Sequence, residues 1–214
     1  MSGSNITVTQ NLIQDNTAQK SMIDATSSGG GIYIAGEATF INNIVTNNRV
    51  EGNGGQGAGI FISGSAPELY HTTLANNTGG DGSGIYVSEN YGGDPAQPLL
   101  YNTIIVSQTV GVKVSDGSPQ NLATLDGVLW WNNGTNTEGA AFVFHDTTGD
   151  PAFVDPANDD YHIGSASAAI DAGIDAGVTV DYDHEPRFGD PDLGADEYWA
   201  PGVLRRIYLP LIIR

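Results

Sequence analysis

The residues of this chain best able to do chemistry are its carboxylates, and they are concentrated late. Between Asp146 and Glu197 there are fourteen acidic residues and one basic residue, Arg187. Asp181, Asp183, Asp190, Asp192 and Asp196 fall within sixteen residues. Such a density of oxygen donors suits a hard cation, and Ca²⁺ is the ion expected there. The spacing fits no EF-hand loop, and Gly79-Gly80-Asp81-Gly82 occurs once, without the tandem period of calcium-binding nonapeptides. The competing expectation is structural: Arg187 organises the region through a bidentate pair with Asp181, Asp183, Asp192 or Asp196.

A second set could bind carbohydrate. Four segments share a Gly followed by three strand residues: Gly31-Ile32-Tyr33-Ile34, Gly59-Ile60-Phe61-Ile62, Gly84-Ile85-Tyr86-Val87 and Gly111-Val112-Lys113-Val114. Alternation sends the flanking Ile and Val to one face and the middle residue to the other. Burying Lys113 unpaired would be costly, so the middle position faces outward. Tyr33, Phe61, Tyr86 and Lys113 then form one outer row. Flat rings there suit the apolar faces of pyranoses, or else shield the sheet through cross-strand contacts. Glu89 and Tyr91, in the loop after Tyr86, would edge the row.

Catalysis demands more than a row. A uronate lyase needs a base and a cation on one face, and a glycosidase needs two carboxylates about 5–10 Å apart. In the repeats the cations are Lys20, Arg49 and Lys113, and only Lys113 lies on a strand face. Glu89 and Asp116 are the nearest acids. No chemically complete set emerges from these residues.

The elements that must position these residues repeat. The Gly motifs start 28, 25 and 27 residues apart. A second motif interleaves with them: Leu12-Ile13-Gln14-Asp15-Asn16, Ile44-Val45-Thr46-Asn47-Asn48, Thr73-Leu74-Ala75-Asn76-Asn77 and Ile104-Ile105-Val106-Ser107-Gln108. A fifth copy near Val128-Leu129-Trp130-Trp131-Asn132-Asn133 has an ambiguous register. Each period holds several strands, so each is one coil of a solenoid. The fold expected is all-β: a right-handed parallel β-helix over residues 1–145, then an irregular acidic extension over 146–200 and an apolar strand over 201–214. Stacking predicts the inward columns Val8, Phe40, Leu69, Leu100 and Ile13, Val45, Leu74, Ile105. It also predicts Ile32, Ile60, Ile85, Val112 in one column. Gln10, Asn42, His71 and Asn102 form a polar column, expected at a bend with side chains bonded up and down the stack. The paired asparagines suit tight turns, since Asn tolerates the left-handed region.

Charge narrows the partners. The formal charge is −18, with seven Lys and Arg in 214 residues, which excludes nucleic acid. There is no cysteine, hence no disulfide framework and no thiolate metal site. No apolar run reaches the roughly 20 residues of a membrane-spanning helix. No signal-peptide pattern precedes Ile6-Thr7-Val8.

The acidic region resembles a known family. Gly149-Asp150-Pro151-Ala152-Phe153-Val154-Asp155-Pro156-Ala157-Asn158-Asp159-Asp160-Tyr161-His162-Ile163 is similar to the segment that closes β-helix proteins of the choice-of-anchor Q type. Ser167-Ala168-Ala169-Ile170-Asp171-Ala172-Gly173 matches that family's next motif, with Ala168 where Pro is usual. Asp181-Tyr182-Asp183-His184-Glu185-Pro186-Arg187 resembles another, with His184 replacing Gly, and Asp192-Leu193-Gly194-Ala195-Asp196-Glu197-Tyr198 resembles the last. The repeats before it look like pectin-lyase-like β-helices. The resemblance implies an exported, surface-attached bacterial protein and implies no activity.

Residues 205–214 are apolar between arginines and are expected to form an edge strand, docked on the solenoid or offered to a partner. Three functions follow. The first is a non-catalytic extracellular or cell-surface module that binds glycans or builds surface structure. The second is part of a polysaccharide lyase or glycosidase. The third is a subunit that self-associates through the C-terminal strand or the solenoid ends.

Overall fold

A computed structural model describes residues 6–19, 27–52 and 54–200. The apolar strand expected over 201–214, and Lys20, lie outside the described residues. No helix among the described residues is long and apolar enough to cross a membrane.

The repeats form a parallel β-helix of five full coils and a sixth rung that begins another. The largest sheet has nine strands, all parallel. Its rungs are Ile6–Thr9, Ala38–Ile41, Glu68–Tyr70, Leu99–Val106, Ala123–Trp131 and Ala141–Thr148, with Leu12–Gln14, Ile44–Thr46 and Thr73–Ala75 continuing the first three beyond a bend. The last rung, Ala141–Thr148, spans the division placed at residues 145 and 146. A second sheet stacks Ile32–Ile34, Ile60–Ser63, Ser83–Ser88, Val110–Val114 and Thr135–Glu138.

The columns stand where the repeat put them. Val8, Phe40, Leu69 and Leu100 pair rung to rung, as do Ile13, Val45, Leu74 and Ile105, and Ile32, Ile60, Ile85 and Val112. They build the inner core. The ambiguous fifth copy is settled: Trp130 continues the Ile105 column inward and Trp131 pairs with Val106 facing outward. The Gly of each motif is needed for close approach between coils. A Cβ on Gly59 would sit 2.7 Å from the Gly84 carbonyl oxygen, and one on Gly111 would sit 2.6 Å from that of Asn136.

Two bends shape each coil. Gln10, Asn42, His71 and Asn102 all have φ near 50°, and so do Asp15, Asn47, Asn76, Ser107 and Asn132, the first members of the paired motif. The amide ladder runs through the second members. Asn16 Nδ2 donates to Asn48 Oδ1 at 3.0 Å, and Asn48 Nδ2 donates to Asn77 Oδ1 at 3.1 Å. The column of Gln10, Asn42, His71 and Asn102 is no such ladder. Within it only Asn102 and His71 meet, at 3.0 Å, while Gln10, Asn42 and Asn102 donate sideways to the carbonyls of Asp181, Val180 and Ile174.

Those carbonyls belong to the acidic extension, which lies lengthwise along the solenoid. A second core forms beneath it. Ile44, Ala75, Ile104, Val106 and Leu129 face outward from the coils, and Tyr161, Ile163, Ala169, Leu193 and Ala195 cover them. Beyond the last rung, the extension holds a two-stranded antiparallel pair, Phe153–Asp155 with Asp160–Ile163, joined by the short 3-10 turn Pro156–Asn158, and an isolated antiparallel bridge between Val180 and Pro186.

Candidate functional site

The outer row exists, and its rings stack on one another. Tyr33 and Phe61 have centroids 5.2 Å apart and planes 19° apart, and Phe61 and Tyr86 are at 5.6 Å and 4°. Such stacking uses up the flat faces that a pyranose would need. Phe61 and Tyr86 are only 7% and 8% exposed, whereas Tyr33, the first ring, is 56% exposed. Phe61 and Tyr86 therefore offer little ring surface, and Tyr33 is the exposed end of the row. Lys113, next in register after Tyr86, lies 3.7 Å from Asp81 and 3.4 Å from Glu138. Burial works against its charge, but the two carboxylates prevail and raise its pKa. Its charge is thus answered within the protein, as is that of Arg49 beside Glu51. Glu89 accepts from Asn121 Nδ2 at 2.7 Å and from Ser88 Oγ at 3.1 Å, and these bonds, led by that of Asn121, lower its pKa. Tyr91 is fully exposed at its loop tip.

A different aromatic lines a cleft. Trp131 is 41% exposed, and among the described residues no ring stacks on it. It walls a cleft of about 290 Å³ between the coils and the extension. Phe153, Pro151 and Pro156 add apolar surface there, and Asn76, Ser107 and Asp150 add polar groups. Asn76 and Ser107 owe their places to the left-handed bend at φ 56°. Pro151 and Pro156 fix the opposing segment through their rigid backbone. Sequence reasoning missed this site because the register of the Trp130-Trp131 pair decides which indole faces out.

The five aspartates named as calcium ligands do not converge. Asp181 is fully buried, and its oxygens accept from the backbone N–H groups of Asp183, Glu185 and Glu197 at 3.0, 2.8 and 3.2 Å. Asp192 accepts from the N–H groups of Asp171 and Tyr198 at 2.7 and 2.6 Å. These carboxylates do the work of turn caps, substituting for missing secondary structure. Asp190 is exposed. Burial raises the pKa of Asp181, and raises those of Asp192 and Asp196 to about 6.

Arg187 does organise the region, with another partner. Its Nη1 lies 3.1 Å from Glu197 Oε2, and both side chains are buried, at 3% and 4% exposure. No Asp carboxylate pairs with it in the bidentate form expected. Nη1 and Nη2 also donate to backbone carbonyls of Asp192, Gly194, Ala195 and Asp196 and to Asn42 Oδ1, while the buried Nε has no partner among the described residues. The closing loop wraps around the guanidinium, so its carbonyls join the Glu197 carboxylate in holding it.

Two of the aspartates meet a histidine that the sequence reading did not include. His162, Asp183 and Asp196 bring one donor atom each to within 4.8 Å of one another, a group able to coordinate a metal ion. His162 comes from the strand Asp160–Ile163, Asp183 from the turn capped by Asp181, and Asp196 from the closing loop, where it also accepts from Ile163 N–H at 2.7 Å. His162 Nε2 is 2.5 Å from Asp183 Oδ2, and its Nδ1 is 2.6 Å from Asp160 Oδ1. Burial alone would lower its pKa, but the bonds to Asp160 and Asp183 reverse that and lift it to about 9. A cleft of about 300 Å³ opens beside the group, lined also by Glu185, Glu197, Tyr198 and Trp199.

Comparison with known proteins speaks to the repeats. The family described as right handed beta helix region matches residues 1–128. No curated protein and no solved structure matches the chain.

Proposed function

Because the chain belongs to the right-handed β-helix family, we propose that it is a non-catalytic carbohydrate-binding module of an exported bacterial surface protein, with the Trp131 cleft as its sugar seat. The observation that carries this reading is the partly exposed indole of Trp131 lining a polar-rimmed cleft. The C–H face of a pyranose covers an indole well, and Asn76, Ser107 and Asp150 offer partners for its hydroxyls. A volume near the low end of the about 300–1,000 Å³ range of small-molecule sites suits one ring of a glycan rather than a long stretch. The resemblance of the closing segment to choice-of-anchor Q proteins supports export and surface attachment. That segment also carries a group able to hold a divalent cation, independent of the sugar seat. Ca²⁺, the ion first expected, would have to use Asp183 and Asp196 beside an imidazole.

The test is a glycan array followed by titration of the best ligand. Trp131→Ala should weaken binding roughly ten-fold or more, about 1.4 kcal/mol, while Tyr33→Ala leaves it unchanged. Binding that survives Trp131→Ala would refute the assignment of the cleft. Release of unsaturated or reducing ends from any polysaccharide would refute the non-catalytic reading.

A further inference from the structure

We infer that His162, Asp183 and Asp196 form a binding site for a borderline divalent ion of the zinc type, with Asp160 as its positioning residue. The inference stands apart from the carbohydrate reading and does not rest on it.

The donor set separates the candidate ions. Ca²⁺ and Mg²⁺ take oxygen ligands, whereas a mixed set of one imidazole and two carboxylates suits zinc and its neighbours. The surroundings of the three donors are those of a built site. A metal-binding histidine ordinarily gives its other ring nitrogen to a carboxylate, which fixes tautomer and ring orientation. Here Asp160 Oδ1 takes His162 Nδ1 at 2.6 Å, leaving Nε2 turned toward Asp183. Ligand carboxylates are in turn hydrogen-bonded, and Asp196 is held by the Ile163 N–H.

Three protein ligands and an open side are the arrangement of a site that keeps a position for water or a ligand. The adjoining cleft supplies that side, and one of its walls is Trp199, whose buried Nε1 has no acceptor among the described residues. With no metal, the proton on His162 Nε2 bridges to Asp183. An incoming ion takes that place: the Nε2–H bond breaks, the nitrogen lone pair binds the ion, and the proton leaves to solvent. Because the ligands come from three segments between residues 160 and 196, the ion would tie the closing segment together.

The experiment uses metal-stripped full chain, titrated calorimetrically with Zn²⁺, Co²⁺ and Ca²⁺ and followed by the visible absorption of Co²⁺. One equivalent of Zn²⁺ should bind and raise the melting temperature through linkage. Asp160→Asn should weaken binding 10- to 100-fold without changing the stoichiometry. His162→Gln and Asp183→Asn should abolish it. Should His162→Gln fail to fold, Asp183→Asn still decides, because Asp183 is exposed and circular dichroism can verify its fold. Trp131→Ala should bind Zn²⁺ as the parent does, so failure of the sugar site and failure of the metal site remain separate results. No heat or Co²⁺ spectrum, undiminished Zn²⁺ binding by Asp183→Asn, or tighter binding of Ca²⁺ than of Zn²⁺ would each overturn the inference.

Discussion

His71 shows how a single residue type can carry a polar label and a structural task. It is fully buried at a left-handed bend with φ 48°, and Asn102 Nδ2 donates to its Nε2. That contact puts the ring hydrogen on Nδ1. Burial first, and then the nearby charge of Arg187, push its pKa down to about 3. In the unfolded chain the ordinary value of about 6.5 returns. The unfolded state therefore binds the extra proton between these values, so the contribution of His71 is whole above pH 6.5 and is lost as pH falls toward 3. Asp192 and Asp196, raised to about 6, act with the opposite sign, favouring the folded state as pH falls below 6. A variant isolates the histidine from them. His71→Asn keeps a residue that tolerates the left-handed bend, as Asn42 and Asn102 do in the same column. Urea unfolding across pH should show the parent losing stability relative to His71→Asn by up to about 1.4 kcal/mol per pH unit between 6.5 and 3. A gap that does not change with pH would mean that His71 is not held neutral. The polar column was visible in the sequence, and so was its bend. Its partners were not, because they lie more than seventy residues away in a segment with no periodicity to align.

At the level of elements, the strands were legible because stacking makes one coil's pattern repeat in the next. Gly, Ile, aromatic, Ile is informative four times over. The face of the aromatic row was also correct; what spacing alone does not reveal is that neighbouring rings cover each other. Rungs about 4.8 Å apart bring rings at equivalent positions into contact distance, and the observed separations of 5.2 and 5.6 Å follow. The energetic consequence is graded along the row. Phe61 has a ring on each side and is buried, so Phe61→Ala should cost about 3–5 kcal/mol. Tyr33 has one ring neighbour and is half exposed, so Tyr33→Ala should cost under about 1 kcal/mol. Denaturant midpoints of the two variants at constant slope measure both. Equal, small losses would restore the row as an open surface. Another signal in these strands was readable: Ile104-Ile105-Val106 and Val128-Leu129-Trp130 are apolar at consecutive positions, which marks strands buried on both faces. That pattern foretells a cover over the outer face, and the extension supplies it.

For the molecule as a whole, the extension changes how the solenoid should unfold. A bare stack of coils interacts only with nearest neighbours and can fray from its ends. Here one segment reaches all five coils. Asp181 and His184 meet Gln10 and Asp159 meets Gln14 in the first coil, and Tyr161 Oη accepts from Thr46 in the second. Ala195 N–H donates to Thr73 in the third, Ile174 pairs with Asn102 in the fourth, and Gly149 N–H donates to the Trp130 carbonyl in the fifth. Leu193, with no exposed surface, sits in the core shared by the two parts. Separating them would expose Ile44, Ile104, Val106 and Leu129 together, an apolar area that makes independent opening unfavourable. The extension and the coils should therefore lose structure in one transition. Leu193→Ala should cost about 2–5 kcal/mol, and the loss should spread beyond its own segment. Hydrogen exchange is the measurement that separates local from shared opening. In the variant, amides of Ile44–Thr46 and Leu99–Val106 should lose protection in step with those of Asp160–Ile163. If only residues 150–198 exchange faster while the coil strands keep the parent's protection, the extension is an independent appendage lying on a self-sufficient solenoid, and the coupling argued from these contacts does not exist.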